Sequence, residues 1–503
     1  MIATFEQSAS LISSAFASVF PPLQPLTDLL YSALPIEIIA LLPVITLVAF
    51  SILVIALGRR VNGVALGFLG MLFAAFEYPL LNFSGSVFSS MLVFDDFSKF
   101  FTYVILIVGL SVLAVSGLYQ GERTEYISLL LVSIAGALLV VASSDLVMLF
   151  ASWELMSMPT YALAAFGSRR ESIEGATKYF IFGLTSSLMI AFGIAILFGV
   201  TGSTNLQAIS TILSAMPSIP PLTLLLIVSL FVVGFGFKIG LAPFHMWIPD
   251  TYQAAPGTVT AYLATGTKKA GVSAFLRVLV VALLLTKLGW IPLLIGISIA
   301  TMIIGNLLAI TQSDISRMLA YSSIAQMGYL LVGVAAASTW GIAGAIFYAL
   351  VHALMKGSAF IIVAIVAYYV RRPVTFSEIA GLGKRAPIVA FSFLIAIFSL
   401  IGLPGTAGFI GKLVVFTSAV DQGMWWLALA GVLNSVLSLG YYLRLIKSIY
   451  LEEPNDSSVA VKQLRAPTIV LALSSVLLVA LGVFPSTFLD FAYSAARTIL
   501  PGP

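Results

Sequence analysis

The chain contains no cysteine. That excludes disulfides, and it excludes iron–sulfur or zinc sites built on cysteine ligands. Histidine is almost as scarce: His245 and His352 are the only two, so a bis-histidine haem would require those two to meet. Charge is sparse as well. Asp, Glu, Lys and Arg make up 9% of the 503 residues, against roughly 25% in soluble domains. The formal net charge of +4 is too small to argue for a nucleic-acid partner. The opening MIATFEQSAS lacks the basic start of a secretory signal, so no cleaved signal peptide is expected. Residues 1–36 are mixed and carry Pro21, Pro22 and Pro25; a short interfacial helix is the most they predict.

What the chain has instead is hydrophobicity. Apolar residues make up 60% of it, in runs of about 20 that recur along nearly the whole length. The fold class expected is an all-α polytopic membrane protein with no soluble domain between spans. The spans fall at about 38–57, 62–82, 98–118, 126–143, 146–166, 176–200, 222–254, 258–285, 290–311, 316–337, 341–370, 387–418, 424–450 and 467–489. That is about fourteen transmembrane helices.

Short-loop lysines and arginines set the orientation. Loops after odd-numbered spans hold Arg59, Arg60, Arg123, Arg169, Arg170, Arg317, Arg371, Arg372, Lys384, Arg385, Lys462 and Arg465. Loops after even-numbered spans hold little beyond Lys99 and Lys287. Odd loops are therefore expected in the cytoplasm of a prokaryote's plasma membrane, with both termini on the outer side.

Two spans carry breaks. In the seventh, Phe231 to Gly271 reads FVVGFGFKIGLAPFHMWIPDTYQAAPGTVTAYLATGTKKAG. The helix signal fails at Gly240–Pro243, again at Pro249, and again at Pro256-Gly257. In the twelfth, IGLPGTAGFIGK breaks at Pro404-Gly405. Broken helices at membrane depth are tolerated only where the freed backbone finds protein or water. The two breaks are an odd number of spans apart and so run in opposite directions, the mark of inverted repeats with ion sites near the midplane. The division expected is 1–125 (helices 1–3), 126–285 (first repeat, helices 4–8), 286–450 (second repeat, helices 9–13) and 451–503 (helix 14 and tail).

Charges that cannot be loops are few: Glu77, Glu154, Lys238, Lys268, Lys269, Arg277, Lys356 and Lys412, with His245 and His352. Lys178, Arg444 and Lys447 lie near cytoplasmic span ends and can snorkel. Intramembrane charges are costly and face a protein interior or a water-filled path. Glu154 sits mid-span in VMLFASWELMSMPTYALAAF. A carboxylate there can pair with Lys238 and be toggled by small movements, as proton transport requires; the plain alternative is a static pair that fixes helix packing. Lys238 precedes Pro243, whose freed carbonyls could simply cap it. Lys268 and Lys269 point about 100° apart on a helix, so at most one is expected to face a path. His352 and Lys356 share a helix face, as a relay would or as a polar helix contact would. Lys412 lies too deep beyond Pro404 for a loop charge. His245 could relay protons or cap backbone. Arg277 and Glu77, near span ends, read as packing or interface residues.

The runs ASWELMSMPTYAL, KYFIFGLTSS, KIGLAPFHMWIPDTYQAAP, YLATGTKKAG, SRMLAYSSIAQMGYLLVG and GLPGTAGFIGK resemble the antiporter-like membrane subunits of respiratory complex I. These are related to subunits of multisubunit cation/proton antiporters and membrane-bound hydrogenases. The resemblance covers about residues 95–450 and looks most like the N-type subunit of NADH:quinone oxidoreductase or its archaeal F420H2-dependent relative. It implies fourteen helices in two inverted five-helix repeats, discontinuous at the seventh and twelfth. It implies a proton pathway through Glu154, Lys238, Lys268 and Lys412, with His245, His352, Lys356 and Gln326 as further relay candidates. The family often has histidine where this chain has Gln326, and HALMK at His352–Lys356 is closer to L-, M- and cation-antiporter subunits.

Three functions follow in order. The first is a proton-translocating subunit of an electron-transfer complex, itself without cofactor or redox centre, working beside homologous and small helical membrane subunits. The second is a subunit of a Na⁺/H⁺ antiporter or membrane-bound hydrogenase. The third, an independent solute transporter, has no evident organic-substrate motif.

Overall fold

The computed structural model describes residues 30–117, 124–167, 170–216, 219–283, 287–454 and 465–500. The expectation for residues 1–36 lies almost wholly outside them, as do Arg123, Arg169 and Lys462.

The chain opens with α1 (Ile36–Leu57) and α2 (Gly63–Leu81), the latter capped by the Asn62 side chain on the Ala65 amide. A small hairpin follows, β1 (Gly85–Val87) against β2 (Leu92–Phe94), with Gly85 opposite Phe94. Helix α3 (Asp96–Ser116) begins with a capping box between Asp95 and Ser98. Then come α4 (Thr124–Ala142), α5 (Leu146–Ala164), capped by Asp145, and the long α6 (Arg170–Thr201). A short amphipathic helix, α7 (Leu206–Ala215), leads to α8 (Pro221–Ile239) and α9 (Trp247–Ala254). Next are α10 (Gly257–Tyr262) and α11 (Lys268–Arg277), joined through a π-turn at Leu263–Thr267 and followed by another at Val278–Ala282. The backbone stays right-handed helical through Tyr262, Thr267, Lys268 and Arg277.

The second half holds α12 (Lys287–Ile310), α13 (Ile315–Ala335) and α14 (Thr339–Val370). Two short helices, α15 (Phe376–Ile379) and α16 (Leu382–Arg385), turn by 117° into α17 (Pro387–Ile401). The rest is α18 (Ala407–Asp421), α19 (Trp425–Tyr450), α20 (Arg465–Val483) and α21 (Ser486–Ile499). Among the described residues, twelve helices are long and apolar enough to cross a membrane. The chain is therefore a polytopic helical membrane protein. Helices α13 and α14 form its centre, with 94% of their most apolar stretches buried, whereas α1 and α2 face outward, at 33% and 28%.

The two breaks have one geometry. Helix α8 ends at Gly240 (φ 87, ψ 43) and α17 at Gly402 (φ 89, ψ 46), both left-handed as a C-terminal glycine allows. In each, one carbonyl takes two amides: Gly236 O accepts from Gly240 and Leu241, and Phe398 O from Gly402 and Leu403. Pro249 makes no break, contrary to the sequence reading. It lies in the first turn of α9, where a missing N–H costs nothing. The last span is also shorter than expected. It stops at Val483, and Pro485 starts the separate helix α21, whose buried face is Ala492, Ala495, Ala496 and Ile499.

Candidate functional site

The expected partnership of Glu154 and Lys238 is not a contact ion pair. Lys238 on α8 is buried and donates to Ser157 Oγ at 3.0 Å and to Tyr179 OH at 2.7 Å. Glu154, half-buried on α5, accepts instead from Ser187 of α6. Ser157 stands one turn beyond Glu154, so the two groups are neighbours, near enough for the carboxylate charge to act on the ammonium. The hydroxyls separate them because each polar atom in a low-dielectric interior must be satisfied. The amine is further held among the rings of Trp153, Tyr161 and Tyr179, 5.1 to 5.9 Å from their centroids. Trp247, from the far side of the break, stacks on Tyr179 at 4.3 Å and donates to Phe237 O at 2.9 Å. The PFHMW motif thus fixes the tyrosine that holds the lysine.

Lys268 lies on α11 beside the first break: a Cβ on Gly240 would come within 3.4 Å of its Nζ. It donates to Ser323 Oγ at 3.0 Å, and Ser323 Oγ stands 3.3 Å from His352 Nε2. Lys356, one turn further along α14, donates to Ser322 Oγ at 2.7 Å and Leu319 O at 3.0 Å. Ser322 also bonds Tyr442 OH. Two adjacent serines of α13 therefore serve two neighbouring cations of α11 and α14. Lys268, His352 and Lys356 have no exposed surface.

Lys412 on α18 turns back to the second break. Its Nζ donates to Leu400 O at 3.1 Å, Ile401 O at 3.0 Å and Ser435 Oγ at 3.1 Å, and stands 4.6 Å from the Tyr329 ring centroid. These carbonyls are the orphans of α17's last turn, where the helix dipole is negative. Gln326 Nε2 donates to the same Leu400 O at 3.1 Å, and Tyr348 donates to Gln326 Oε1. The carbonyl-capping arrangement weighed for Lys238 is thus found at Lys412.

Other candidates stand apart. His245 is buried in the first break and its Nδ1 has no partner. Arg277 forms a two-pronged pair with Asp95, at 2.8 and 3.0 Å, stapling α11 to the start of α3. Glu77 accepts from Thr46 at 2.9 Å. Lys269 is buried with Met327 Sδ at 3.9 Å. Sequence reasoning missed Asp250, which is gripped by Lys178 at 2.8 Å and Arg317 at 2.6 Å and so ties α9 to α6 and α13. It also missed Ser322, Ser323, Tyr179 and Tyr442. The adjacent serines of SSIAQ were the available signal: two hydroxyls side by side in an apolar helix. Among the described residues, no group of three or more His, Cys, Asp or Glu could hold a metal ion.

Residues 143–438 match the family described as NADH:quinone oxidoreductase/Mrp antiporter, TM. The chain belongs to that family. The F420H2 dehydrogenase subunit N of Methanosarcina mazei is 37% identical over 495 residues, covering 92% of this chain and 99% of that relative. The NADH-quinone oxidoreductase subunit N of Trichlorobacter lovleyi is 39% identical over 423 residues, covering 82% and 86%. A chain of respiratory complex I from Thermus thermophilus superposes with a TM-score of 0.78 at 31% identity, covering 89% of this chain and 98% of that one. A chain of the Mrp complex from Dietzia sp. DQ12-45-1b superposes at 0.81 with 22% identity, a likeness of fold alone. The resemblance carried by the sequence motifs thus holds at the level of family, and the relatives from Methanosarcina mazei and Trichlorobacter lovleyi are subunit N chains. For a member of the NADH:quinone oxidoreductase/Mrp antiporter family, the breaks at Gly240 and Gly402 and the buried lysines beside them are the features to explain.

Proposed function

We propose that this chain is the proton-translocating, non-redox membrane subunit, of N type, in an NADH- or F420H2-dependent quinone oxidoreductase of the complex I kind. We read α8 with α9 as the seventh span, α10 through α11 with their π-turns as the eighth, and α17 with α18 as the twelfth. The count is then fourteen, arranged as inverted five-helix repeats at 126–285 and 286–450. Helices 1–3 precede them within 1–125, and helix 14 with the tail follows within 451–503. Odd loops face the cytoplasm.

Protons pass along Glu154, Lys238, Lys268 and Lys412, through His352 and Lys356, with Gln326 positioned beside the path. The observation that carries this reading is the pair of serine bridges, Lys268–Ser323–His352 beside Lys356–Ser322–Tyr442. A serine or tyrosine hydroxyl both donates and accepts, so each bridge can hand on a proton by rotating. Gln326 cannot take up a proton; it holds Leu400 O in common with Lys412 and so ties the relay to the second break. Electrons pass in other subunits, and their energy reaches this one as a conformational or electrostatic signal.

The test is purification with the native partners, then proton uptake and electron transfer measured together in vesicles. Co-purified hydrophilic subunits with cysteine-rich cluster motifs, and loss of uptake in Lys268→Met, support the proposal. A complex of membrane subunits alone, driven by a Na⁺ gradient, would assign the chain to the antiporter branch instead.

A further inference from the structure

We propose that Lys269 is a further proton carrier, a side branch of the relay loaded through Nδ1 of His352. The inference rests on the proton-translocating reading above. Lys269 is fully buried, and its Nζ meets the thioether sulfur of Met327 at 3.9 Å. A thioether is a weak acceptor, whereas an ammonium brings three donors. Burying a charge without acceptors is strongly unfavourable. The site as built therefore suits an amine lone pair better than an ammonium, and a lone pair is a proton acceptor.

A second, independent observation points to the same place. His352 Nδ1 is buried without a partner, while Nε2 meets Ser323. Lys268 reaches this ring through Ser323, Lys356 lies one turn along the same helix, and Lys269 follows Lys268 on α11. The pairings run in parallel: Lys268 to Ser323, and Lys269 to Met327, one turn further along α13. The two serine bridges leave both Lys269 and Nδ1 unused.

The step conserves protons. Lys268 gives a proton through Ser323 Oγ to Nε2, and Nδ1–H gives one to the Lys269 lone pair. One N–H forms on the ring as another breaks, and the positive charge moves from Lys268 to Lys269. The flexible stem of lysine supplies the reach. A charged Lys269 then repels a second proton on Lys268 or Lys356, so the branch admits one proton at a time.

The experiment compares Lys269→Met and Lys269→Gln with Lys268→Met and wild type, each as the whole complex in vesicles. Proton uptake per assembled complex is read across a pH series. Loss of uptake in both Lys269 variants, with partial recovery and a displaced pH profile in Lys269→His, supports the branch. Wild-type uptake in either Lys269 variant overturns it. Failure of both to assemble also overturns it, because a buried lysine held only by a thioether and replaced by a similar apolar or amide side chain should fold at least as well. Lys268→Met separates the two proposals. If it too pumps as wild type, the proton-translocating reading fails; if it stops while Lys269→Met pumps, only the branch falls.

Discussion

Lys412 and Gln326 share one acceptor, the carbonyl of Leu400, each at 3.1 Å. One oxygen at the end of a broken helix thus couples the proton-carrying candidate of α18 to the amide of α13. In Lys412→Met the Ile401 carbonyl loses a buried partner, a cost of about 1–3 kcal/mol. Removing a buried charge offsets much of that, so the variant is expected to assemble. Proton uptake should be abolished or strongly reduced. Wild-type uptake from a well-assembled Lys412→Met complex would refute the role given to it.

Ser323→Ala should cut the bridge between Lys268 and His352 and leave Lys356 with Ser322. Two hydrogen bonds are lost, to Lys268 Nζ and to His352 Nε2, and each buried group left without that partner costs about 1–3 kcal/mol, so assembly is measured alongside uptake. Uptake should fall by an order of magnitude or more, since a positioned proton-transfer group typically contributes about 10²–10⁴-fold. Ser323→Thr, which keeps the hydroxyl, should retain activity. Equal uptake in Ser323→Ala and Ser323→Thr would remove the serine from the path.

Gly402→Ala and Gly405→Ala separate backbone strain from contact with the lysine. Both glycines are left-handed, at φ 89 and φ 84, and alanine in that region costs about 1–2 kcal/mol at each. At Gly402 the new methyl would also stand 3.1 Å from Lys412 Cδ, whereas at Gly405 nothing lies within 4 Å. Thermal stability should drop similarly in the two variants, and uptake should drop much further in Gly402→Ala. Matching losses of uptake would mean that the break matters only as a flexible joint.

The charged candidates were legible because charge in an apolar span has few innocent explanations. The breaks were legible because Gly-Leu-Ala-Pro and Gly-Leu-Pro-Gly stop a helix wherever they occur. Pro249 misled, since proline in a first turn leaves no trace different from proline in a break. The π-turns flanking α11 have no comparable sequence mark. Nor were the true partners of the lysines legible. Ser157 and Ser187 are ordinary in membrane helices until a tertiary fold brings Lys238 and Glu154 to them, and the adjacent Ser322 and Ser323 mark a polar spot without naming the cations they meet. For the same reason a direct Glu154–Lys238 pair looked natural from charge alone, while the hydroxyls that keep the two apart could not be seen.

Topology is open to a direct check. Reporter fusions at Gly383, between α14 and α17, should read cytoplasmic, while fusions at Gly423, between α18 and α19, and at the two ends should read outside. A cytoplasmic reading at Gly423 would mean that α17 and α18 do not together make one crossing, and the inverted repeat would go with it.

The Glu154–Lys238 relationship is the sharpest test of a switch. The carboxylate is held by Ser187 and the ammonium by Ser157 and Tyr179. Closing the gap would bring the charges into contact, worth about 4 kcal/mol at an effective dielectric near 20. That is enough to decide whether the lysine keeps its proton or passes it toward Lys268. The hydroxyl-held arrangement is then the open state, and a rotamer change at Ser157, one turn from Glu154, would let the pair close. Glu154→Gln removes the charge and keeps the shape, so the switch should stall and uptake should be lost. Glu154→Asp shortens the reach and should pump more slowly. Ser187→Ala frees the carboxylate and should bias the pair toward closure, slowing release. Uptake is measured in vesicles with the whole complex, beside electron transfer in the same sample. If Glu154→Gln pumps with the wild-type ratio of protons to electrons, the carboxylate serves packing alone. The switch must then be sought at His352 and Lys356, whose serine partners are adjacent on α13, one of them also serving Lys268.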